Sequence, residues 1–344
     1  MKALQYQHTG GPEVLEYVDV DDPTPGAHDV IVEVAATSLN HLDVVQRNGW
    51  FAMPGFTLPH IAGMDVVGTV VELGAGVTGL AVGDRVVVDP SLAEVAEGSK
   101  LAGMGDLYGT LGVIGGTVAG GYAERCLVPA SHAHHIPDSM SWEHAVCFPT
   151  AWLTAWHALF PVGGLVEGET MMVHAAGSGV SMAAIQLARH AGARVLATAG
   201  SDDKCEKALA LGADAACNNR TTDVAAWARE QTQGAGVNMV FDHVGPALWA
   251  QSMFSLGVRG RLVNCGNTTG DTATIPSLGF MFHMGIQILG SDPYRTTEFA
   301  QAWSVYANGS FQAPVDSVYA LADGADAQQK MERSDFFGKI VLRP

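Results

Sequence analysis

The sequence has little cysteine, little basic charge and no long apolar run. Its five cysteines form no CxxC pair, which argues against a disulfide framework and a cysteine-rich zinc site. Lysine and arginine number 18 against 35 acidic residues, a net charge of −17, so we expect neither nucleic acid nor an anionic membrane as a partner. No stretch approaches the roughly 18 apolar residues of a membrane span, and a signal peptide is not apparent. We therefore expect a soluble, cytoplasmic protein.

What the sequence does have is a strand, a glycine-rich turn, a helix and a second strand in residues 170–199. The turn consists of Gly177, Ser178, Gly179, Val180 and Ser181. In a parallel βαβ unit, such a turn lets backbone N–H groups at a helix N-terminus approach a pyrophosphate. The stretch predicts a dinucleotide site, although Ser181 stands where the usual fingerprint has its third glycine. The alternative is a tight connection without a ligand.

The pattern of the chain changes near residue 130. Before it, short strands alternate with Gly, Pro and Asp turns, at residues 30–34, 66–73, 85–88 and 122–128. From residue 142 to 290, strands and helices alternate, which is typical of a doubly wound sheet. A helix at 298–309 and a strand at 339–342 follow, and we expect that strand to return to the first domain. The predicted domains are residues 1–130 plus 291–344, and residues 131–290.

Several motifs, in order along the whole chain, resemble the medium-chain dehydrogenase/reductase superfamily, and within it the quinone oxidoreductase-like members. Besides the glycine turn they are residues 39–43 (LNHLD), 59–68 (PHIAGMDVVG), 82–86 (VGDRV), 120–124 (GGYAE), 153–156 (LTAW), 241–245 (FDHVG) and 337–342 (FGKIVL). The resemblance implies an α/β protein with a Rossmann doubly wound parallel sheet domain and a β-rich GroES-like catalytic domain. It also implies an oxidoreductase.

The sequence departs from the zinc-dependent members of that superfamily at the catalytic metal. The positions of the two cysteines and the histidine correspond to Asn40, Thr150 and Met64, the last followed by Asp65. An amide, a hydroxyl and a thioether cannot replace two thiolates and an imidazole around Zn²⁺. Leu42 stands where the zinc enzymes carry a proton-relaying Ser or Thr. We predict that the protein works without zinc.

A second departure concerns the lobe that holds a structural zinc in the same relatives. Its length is kept between residues 89 and 120, but the four cysteine positions hold Glu94, Glu97, Lys100 and Tyr108. We expect Lys100 to pair with the two glutamates at helical spacing and to replace part of the metal's contribution. The alternative is a different metal site among the thirteen histidines. His132, His134 and His135 come closest to one, and a solvated surface is the preferred interpretation.

Without zinc, a nicotinamide can still reduce an acceptor that is already electrophilic, such as a quinone or the β-carbon of an enone. The resemblance places Asn40 near the nicotinamide, where its amide could donate to the substrate oxygen; the alternative is an Asx turn. His41 could meet the pyrophosphate or act as an acid, and His60 and Tyr108 are weaker proton-donor candidates. His243, which follows a strand, serves either the cofactor or the packing of the domain.

The end of the second strand bears on the choice of cofactor. NAD-specific folds place an acid there, and a carboxylate repels a 2′-phosphate. Here the residue is Ala199, and Ser201 and Lys204 can supply a donor and a cation, so we predict NADPH. Asp202, Asp203 and Asn219 weigh against it, Asn219 because related NADPH enzymes often have Tyr there. The resemblance further implies cofactor contacts from Thr154, Val244, Gly266, Leu289 and Lys339.

Three functions remain open at this point. The first is an NADPH-dependent quinone or enone reductase, the second a zinc-free carbonyl reductase or alcohol dehydrogenase, and the third a non-catalytic NADPH-binding protein. In each case the expected partners are a small electrophilic molecule and a second copy of the chain. Residues 286–290 resemble the edge strand by which members of the superfamily pair into a homodimer.

Overall fold

The computed structural model of the chain describes residues 1–105 and 112–344. These residues form two compact units: unit 1 is Met1–Leu153 with Pro293–Pro344, and unit 2 is Thr154–Asp292. The first boundary therefore lies later than the predicted residue 130. Residues 131–153 pack with unit 1 because the strand Ala133–His135 pairs with Arg85–Val88 and the Tyr306 hydroxyl donates to the His144 carbonyl at 2.8 Å.

The first part of unit 1 consists mainly of strands. In chain order it contains β1 (Lys2–Tyr6), β2 (Glu16–Asp19), β3 (Asp29–Ser38), α1 (His41–Arg47), β4 (His60–Ile61), β5 (Asp65–Leu73), β6 (Arg85–Val88), β7 (Arg125–Pro129), β8 (Ala133–His135), α2 (Trp142–Val146) and α3 (Pro149–His157), which continues into unit 2. Valines at alternate positions of β3, namely Val30, Val32 and Val34, fill a core with valines of β5 and β6. Alternate residues of a strand face the same side, and β-branched side chains pack well there.

Unit 2 alternates strands with helices. It contains β9 (Thr170–Val173), α4 (Gly179–His190), β10 (Arg194–Ala199), α5 (Asp202–Ala210), β11 (Ala215–Asn218), α6 (Val224–Gln231), β12 (Val237–Asp242), α7 (Trp249–Ser255), β13 (Leu256–Asn264), α8 (Leu278–Met284) and β14 (Gln287–Gly290). Within the described residues its strands form one parallel sheet in the order β11-β10-β9-β12-β13-β14. The order reverses between β9 and β12. This is the doubly wound topology that the sequence predicts, and in such sheets ligands bind outside the carboxyl ends of the strands at the reversal.

The chain then returns to unit 1 through α9 (Thr296–Asn308), β15 (Val315–Ala320), α10 (Gly324–Glu332) and β16 (Lys339–Arg343). In the described residues, the larger sheet of this unit has the order β15-β16-β3-β5-β6-β8, with β7 also paired to β3, and a smaller sheet has the order β2-β1-β4. Antiparallel pairing of Val341 with Ser38 places the start of β16 beside the end of β3. Lys339 therefore lies next to the residues that precede α1. No helix in the described part of the chain is long and apolar enough to cross a membrane.

Candidate cofactor site and polar cluster

The glycine turn joins the end of β9 to the start of α4. Ser178 is the N-cap residue, and Gly179 begins a helix of 12 residues. Ala175, two residues before the turn, has φ of +50°, a left-handed conformation that costs an alanine about 1–2 kcal/mol. The first N–H groups of α4 have no carbonyl partner within the helix, and the positive end of the helix dipole lies there. The turn therefore fits a pyrophosphate.

Most of the residues predicted to contact the cofactor lie at the carboxyl ends of the strands of unit 2. Ser201 follows β10, Asn219 follows β11, His243 and Val244 follow β12, and Gly266 comes two residues after β13. Leu289 lies within β14, at the edge of the described sheet, and Thr154 lies on α3. Parallel strands present their carboxyl ends at one edge, so the structure brings the strand-end residues to the predicted side of the sheet.

The end of β10 is the place where the 2′-phosphate that distinguishes NADPH from NADH would lie. Ser201 caps α5, and its hydroxyl oxygen accepts from the Lys204 N–H at 3.4 Å. The guanidinium of Arg220 packs beside Gly200, where an added Cβ would meet the Arg220 Nε at 3.3 Å. Arg220 was not predicted from the sequence. The signal was available, because Arg220 comes two residues after the end of β11, the strand that pairs with β10.

A buried chain of polar groups crosses unit 2 behind the glycine turn. His174 is fully buried; its Nδ1 lies 2.9 Å from the Thr198 hydroxyl and its Nε2 2.9 Å from the Ser252 hydroxyl. Ser252 in turn donates to the Asp242 Oδ2 at 2.8 Å. Burial lowers the pKa of His174, which keeps the ring neutral, while the nearby Asp242 opposes that shift. The chain links the ends of β9, β10 and β12.

In unit 1, the predicted cofactor ligand Lys339 is instead the centre of a buried cluster. Its ammonium donates to the Leu39 carbonyl at 2.8 Å, the Asn40 Oδ1 at 2.8 Å and the Asp65 Oδ2 at 2.9 Å. The Lys339 residue is 5% exposed. All three ammonium hydrogens therefore have acceptors inside this unit. In this structure Lys339 holds Asn40 and Asp65 in place, and its contact with the cofactor stays a prediction.

Asp65 accepts most of the hydrogen bonds in this cluster. It is fully buried; besides Lys339, its Oδ2 accepts from the Ser38 hydroxyl at 2.5 Å and from the Asn40 amide at 2.9 Å. Its Oδ1 accepts from the Thr150 backbone N–H at 2.9 Å. Two residues before Asp65, the backbone of Gly63 lies close to the Tyr122 ring. Gly63 has φ of +97°, and an added Cβ would lie 2.4 Å from that ring. Only glycine fits there.

The three positions that correspond to zinc ligands are part of this cluster or border it. The Asn40 Nδ2 lies 3.4 Å from the Thr150 hydroxyl oxygen, and Met64 is buried between Gly63 and Asp65. Their donor set, an amide, a hydroxyl and a thioether, does not fit Zn²⁺. Within the described residues no group of three or more His, Cys, Asp or Glu is placed to hold a metal ion.

Asn40 is also the N-cap residue of α1, and the Asp43 side chain bonds to its backbone. The Asp43 Oδ2 accepts from the Asn40 backbone N–H at 2.8 Å and from the Tyr122 hydroxyl at 3.2 Å. Burial raises the pKa of Asp43 to about 7. The sequence analysis did not single out Asp43 or Tyr122, although both lie in the motifs quoted for the resemblance.

The two histidines predicted as catalytic differ in their surroundings. His41, the first residue of α1, is exposed, and partial burial of its ring lowers its pKa. His60 is 3% exposed, its Nε2 lies 3.0 Å from the Gly115 carbonyl oxygen, and Phe56 packs against its ring. The Nε2 proton of His60 is thus donated to the Gly115 carbonyl inside the protein, and its role as a proton donor to a substrate stays a prediction. Tyr108, the other candidate, lies outside the described residues.

The lobe that follows β6 is held by contacts other than the predicted ones. The Lys100 ammonium donates to the Thr24 carbonyl at 2.6 Å, so its expected pairing with Glu94 and Glu97 is wrong. Glu94 accepts from the Thr296 hydroxyl at 2.9 Å. The Tyr294 hydroxyl donates to Asp89, just before the lobe, at 3.1 Å. Within unit 1, the segment that leads into α9 therefore fastens the lobe.

The three clustered histidines are also less exposed than expected. His132 is 2% exposed, and its Nδ1 lies 2.9 Å from the Ser131 hydroxyl oxygen. His134 stacks on Phe299 with ring centroids 4.7 Å apart. Burial lowers the pKa of His132 and that of His134 to about 4. Of the three, His135 alone has the solvated position that the sequence analysis expected for all of them.

The sequence matches known families in both halves. Residues 26–138 match the alcohol dehydrogenase GroES-like domain, and residues 179–308 match the zinc-binding dehydrogenase family. A quinone oxidoreductase of Salmonella typhimurium is 30% identical over 353 residues, which cover 99% of both chains.

Solved structures resemble the chain over its whole length. The crystal structure of an NAD-dependent alcohol dehydrogenase has a TM-score of 0.91 and 35% identity, and the match covers 100% of both chains. The Escherichia coli quinone oxidoreductase complexed with NADPH has a TM-score of 0.84 and 27% identity, again over 100% of both chains. Because these relatives are named for different cofactors and substrates, the choice for this chain depends on its own residues.

Proposed function

Because the chain belongs to the medium-chain dehydrogenase/reductase superfamily, among its quinone oxidoreductase-like members, we propose that it is an NADPH-dependent reductase of quinones or of the C=C bond of α,β-unsaturated carbonyl compounds. It is an oxidoreductase of that superfamily, and we further propose its cofactor, its substrate class and its lack of zinc. The observation that carries it is the buried cluster of Asn40, Asp65 and Lys339. In this cluster Asn40 stands at a position that corresponds to a zinc ligand of the zinc-dependent members, and the Lys339 ammonium holds its amide oxygen.

The cofactor, when bound, supplies a hydride, and the chain supplies binding and polarisation. A saturated ketone concentrates the developing negative charge on one oxygen and needs a strong electrophile beside it. A quinone or an enone spreads that charge over a conjugated system, so hydrogen-bond donors can stabilise it. The Asn40 amide and the Thr150 hydroxyl are neutral hydrogen-bond donors that can stabilise such a delocalised charge. The residues therefore favour an electrophilic acceptor over a simple ketone.

Asn40 is the residue that we assign to the substrate oxygen. Lys339 holds the amide oxygen of Asn40, and Asp65 accepts one amide hydrogen at 2.9 Å. The other amide hydrogen has the long contact of 3.4 Å to the Thr150 hydroxyl. A loosely held hydrogen can move to a better acceptor at small cost. Since its pKa is lowered, His41 is neutral near pH 7 and suits hydrogen bonding to a phosphate better than proton donation.

The end of β10 supports the choice of NADPH. Ala199 and Gly200 bring no carboxylate to the place where a 2′-phosphate would lie, and the Arg220 guanidinium packs beside Gly200. Lys204, on the first turn of α5, is the second cation of this corner. Arg pairs with phosphate through two parallel hydrogen bonds, so Arg220 is the stronger determinant.

A single substitution tests this choice. Arg220→Ala is expected to raise KM for NADPH by about tenfold or more, the loss of one or two charge-assisted hydrogen bonds, and to leave KM for NADH unchanged. Arg189→Ala, at an exposed arginine of α4 whose guanidinium bonds to the Gly212 carbonyl, is the matched control. Equal changes for the two cofactors would remove Arg220 from phosphate recognition.

The substrate class is tested by following NADPH oxidation with 1,4-benzoquinone, cyclohexenone and cyclohexanone. Turnover of the quinone or the enone, with little or none of cyclohexanone, is the expected result. Turnover of cyclohexanone alone would favour a carbonyl reductase or alcohol dehydrogenase, the alternative to which the NAD-dependent alcohol dehydrogenase structure draws attention. Binding of NADPH without turnover of any acceptor would favour a non-catalytic protein.

We also propose that the protein acts in the cytoplasm as a homodimer. β14 lies at one end of the described sheet, with one row of its backbone groups outside the pairing to β13. The nearby apolar side chains Val258, Leu278 and Phe282 are each at least 69% exposed. An edge strand flanked by exposed apolar groups is suited to pairing with a second copy. Light scattering should give twice the mass of the chain.

A further inference from the structure

Ser181 takes the place of the third glycine of the dinucleotide fingerprint, and the structure shows what its side chain does. The residue is fully buried, in the first turn of α4. Its hydroxyl donates to the His174 carbonyl oxygen at 2.6 Å. The same hydroxyl oxygen lies 2.8 Å from the His243 Nε2. The serine therefore joins the glycine turn to the first residue after β12.

The direction of these two hydrogen bonds fixes a proton on His243. A serine hydroxyl has one hydrogen and two lone pairs. Because that hydrogen goes to the His174 carbonyl, Ser181 must accept from His243, and the Nε2 of His243 must carry a hydrogen. Glycine or alanine at position 181 would remove the oxygen that accepts this hydrogen.

The loop that carries His243 is fastened from its other side as well. The Asp242 Oδ1 accepts from the Val244 N–H at 2.7 Å and from the Gly245 N–H at 2.9 Å. The His243 carbonyl oxygen accepts from the Thr268 N–H at 3.2 Å. Asp242 is itself part of the buried chain that runs through Ser252 to His174. Ser181 therefore completes a set of contacts that fixes the loop at the reversal of the sheet.

From this geometry we infer that Ser181 is a positioning residue for the nicotinamide half of the cofactor, and that it acts through His243. The inference rests on the proposed dinucleotide binding of unit 2. In parallel sheets with this reversal, the ligand lies over the ends of the two central strands, here β9 and β12. Ser181 follows β9 and His243 follows β12, so their hydrogen bond sets the spacing of the two loops. The serine that replaces the third glycine then has a function of its own in the site.

A double-mutant cycle on NADPH binding tests the coupling. Ser181→Ala is expected to weaken NADPH binding by about five- to tenfold when His243 is present, and by less than about twofold in the His243→Phe background, because coupled residues are non-additive. Ser255→Ala is the matched control: Ser255 is also a fully buried serine whose hydroxyl donates to a carbonyl, that of Gln251. It should leave the dissociation constant unchanged.

A second measurement needs no ligand and covers the case in which a variant folds poorly. In the wild-type protein the Nε2 proton of His243 should give a slowly exchanging NMR signal, assigned by its loss in His243→Phe. Ser181→Ala should abolish that slow exchange while Ser255→Ala keeps it. Equal effects of Ser181→Ala in both backgrounds, or a rapidly exchanging proton in the wild type, would overturn the inference while NADPH binding persists. Failure of the wild type to bind NADPH or NADH would instead refute the proposed function, and this inference with it.

Discussion

At the scale of single residues, the cluster around Asn40 is built on a buried ion pair and its hydrogen bonds. Lys339 and Asp65 are 274 positions apart in the chain and 2.9 Å apart in space. The sequence shows that positions 40, 64 and 150 lack the residues that bind zinc in the zinc-dependent members. It does not show the contact of Lys339 with Asp65, because the pairing of β16 with β3 brings Lys339 to the cluster. Local patterns predict neither this pair nor the contact of Ser181 with His243, since both depend on the register of distant elements.

Removing Lys339 should be costly. Lys339→Met leaves the carboxylate of Asp65 buried without its counter-charge, which typically costs about 3–5 kcal/mol of the free energy of unfolding. Urea denaturation measures this. Adding Asp65→Asn to Lys339→Met should recover much of the loss, since the double variant buries no charge.

A control comes from an exposed ion pair, Lys2 with Asp19, which lie 2.8 Å apart on the surface of unit 1. Lys2→Met should change the free energy of unfolding little, because water screens that pair. If Lys339→Met were as mild as Lys2→Met, the cluster would not have the role that we assign to it.

The carboxyl of Asp43 should make stability depend on pH. Its pKa is raised from the ordinary 3.8 to about 7 by burial, so between these values the folded chain holds a proton that the unfolded chain has released. By linkage, the contribution of Asp43 to stability is fully present below about pH 4 and falls as the pH rises to about 7.

Urea denaturation at about pH 5 and about pH 8 compares the wild type with Asp43→Asn, which keeps an acceptor for Asn40 and Tyr122 but cannot ionise. The variant should lose less stability than the wild type over this interval. Parallel losses in the two proteins would mean that Asp43 is ionised in the folded state throughout.

At the scale of elements, the strands with the plainest patterns were predicted best. Arg85–Val88 has the predicted bounds, since its three valines form an apolar run between turn residues. The strand expected at 122–128 starts only at Arg125. The sequence analysis did not predict α1, in which Asn40 is the N-cap residue, because its seven residues are too few to show a helical period.

Contacts between elements could not be predicted in the same way. The lobe after β6 kept its expected place in the sequence, but its fastening comes from Tyr294 and Thr296, about 200 positions away. The helical spacing of Lys100 with Glu94 and Glu97 suggested a local pair, whereas the structure takes Lys100 to Thr24. Charge patterning identifies the candidates for ion pairs, and the fold selects among them.

At the scale of the whole molecule, the order of strands and helices was enough to predict two units and a doubly wound sheet, because alternating strands and helices have few stable arrangements. Unit 1 extends to Leu153, beyond the predicted residue 130, because β8 pairs with β6 and the Tyr306 hydroxyl of α9 bonds to α2. The assignment of cofactor binding to unit 2 follows from the topology of the sheet, and that of substrate polarisation to unit 1 from the chemistry of its cluster. Their common premise is hydride transfer without a metal.

The most direct test of that premise is the zinc content of the purified protein together with its NADPH:quinone activity before and after exhaustive chelation. We predict well under one zinc per chain and an activity that chelation leaves unchanged, because the amide, hydroxyl and thioether at positions 40, 150 and 64 do not fit the metal. Stoichiometric zinc whose removal abolishes turnover and whose return restores it would contradict the proposal and favour the alcohol dehydrogenase alternative.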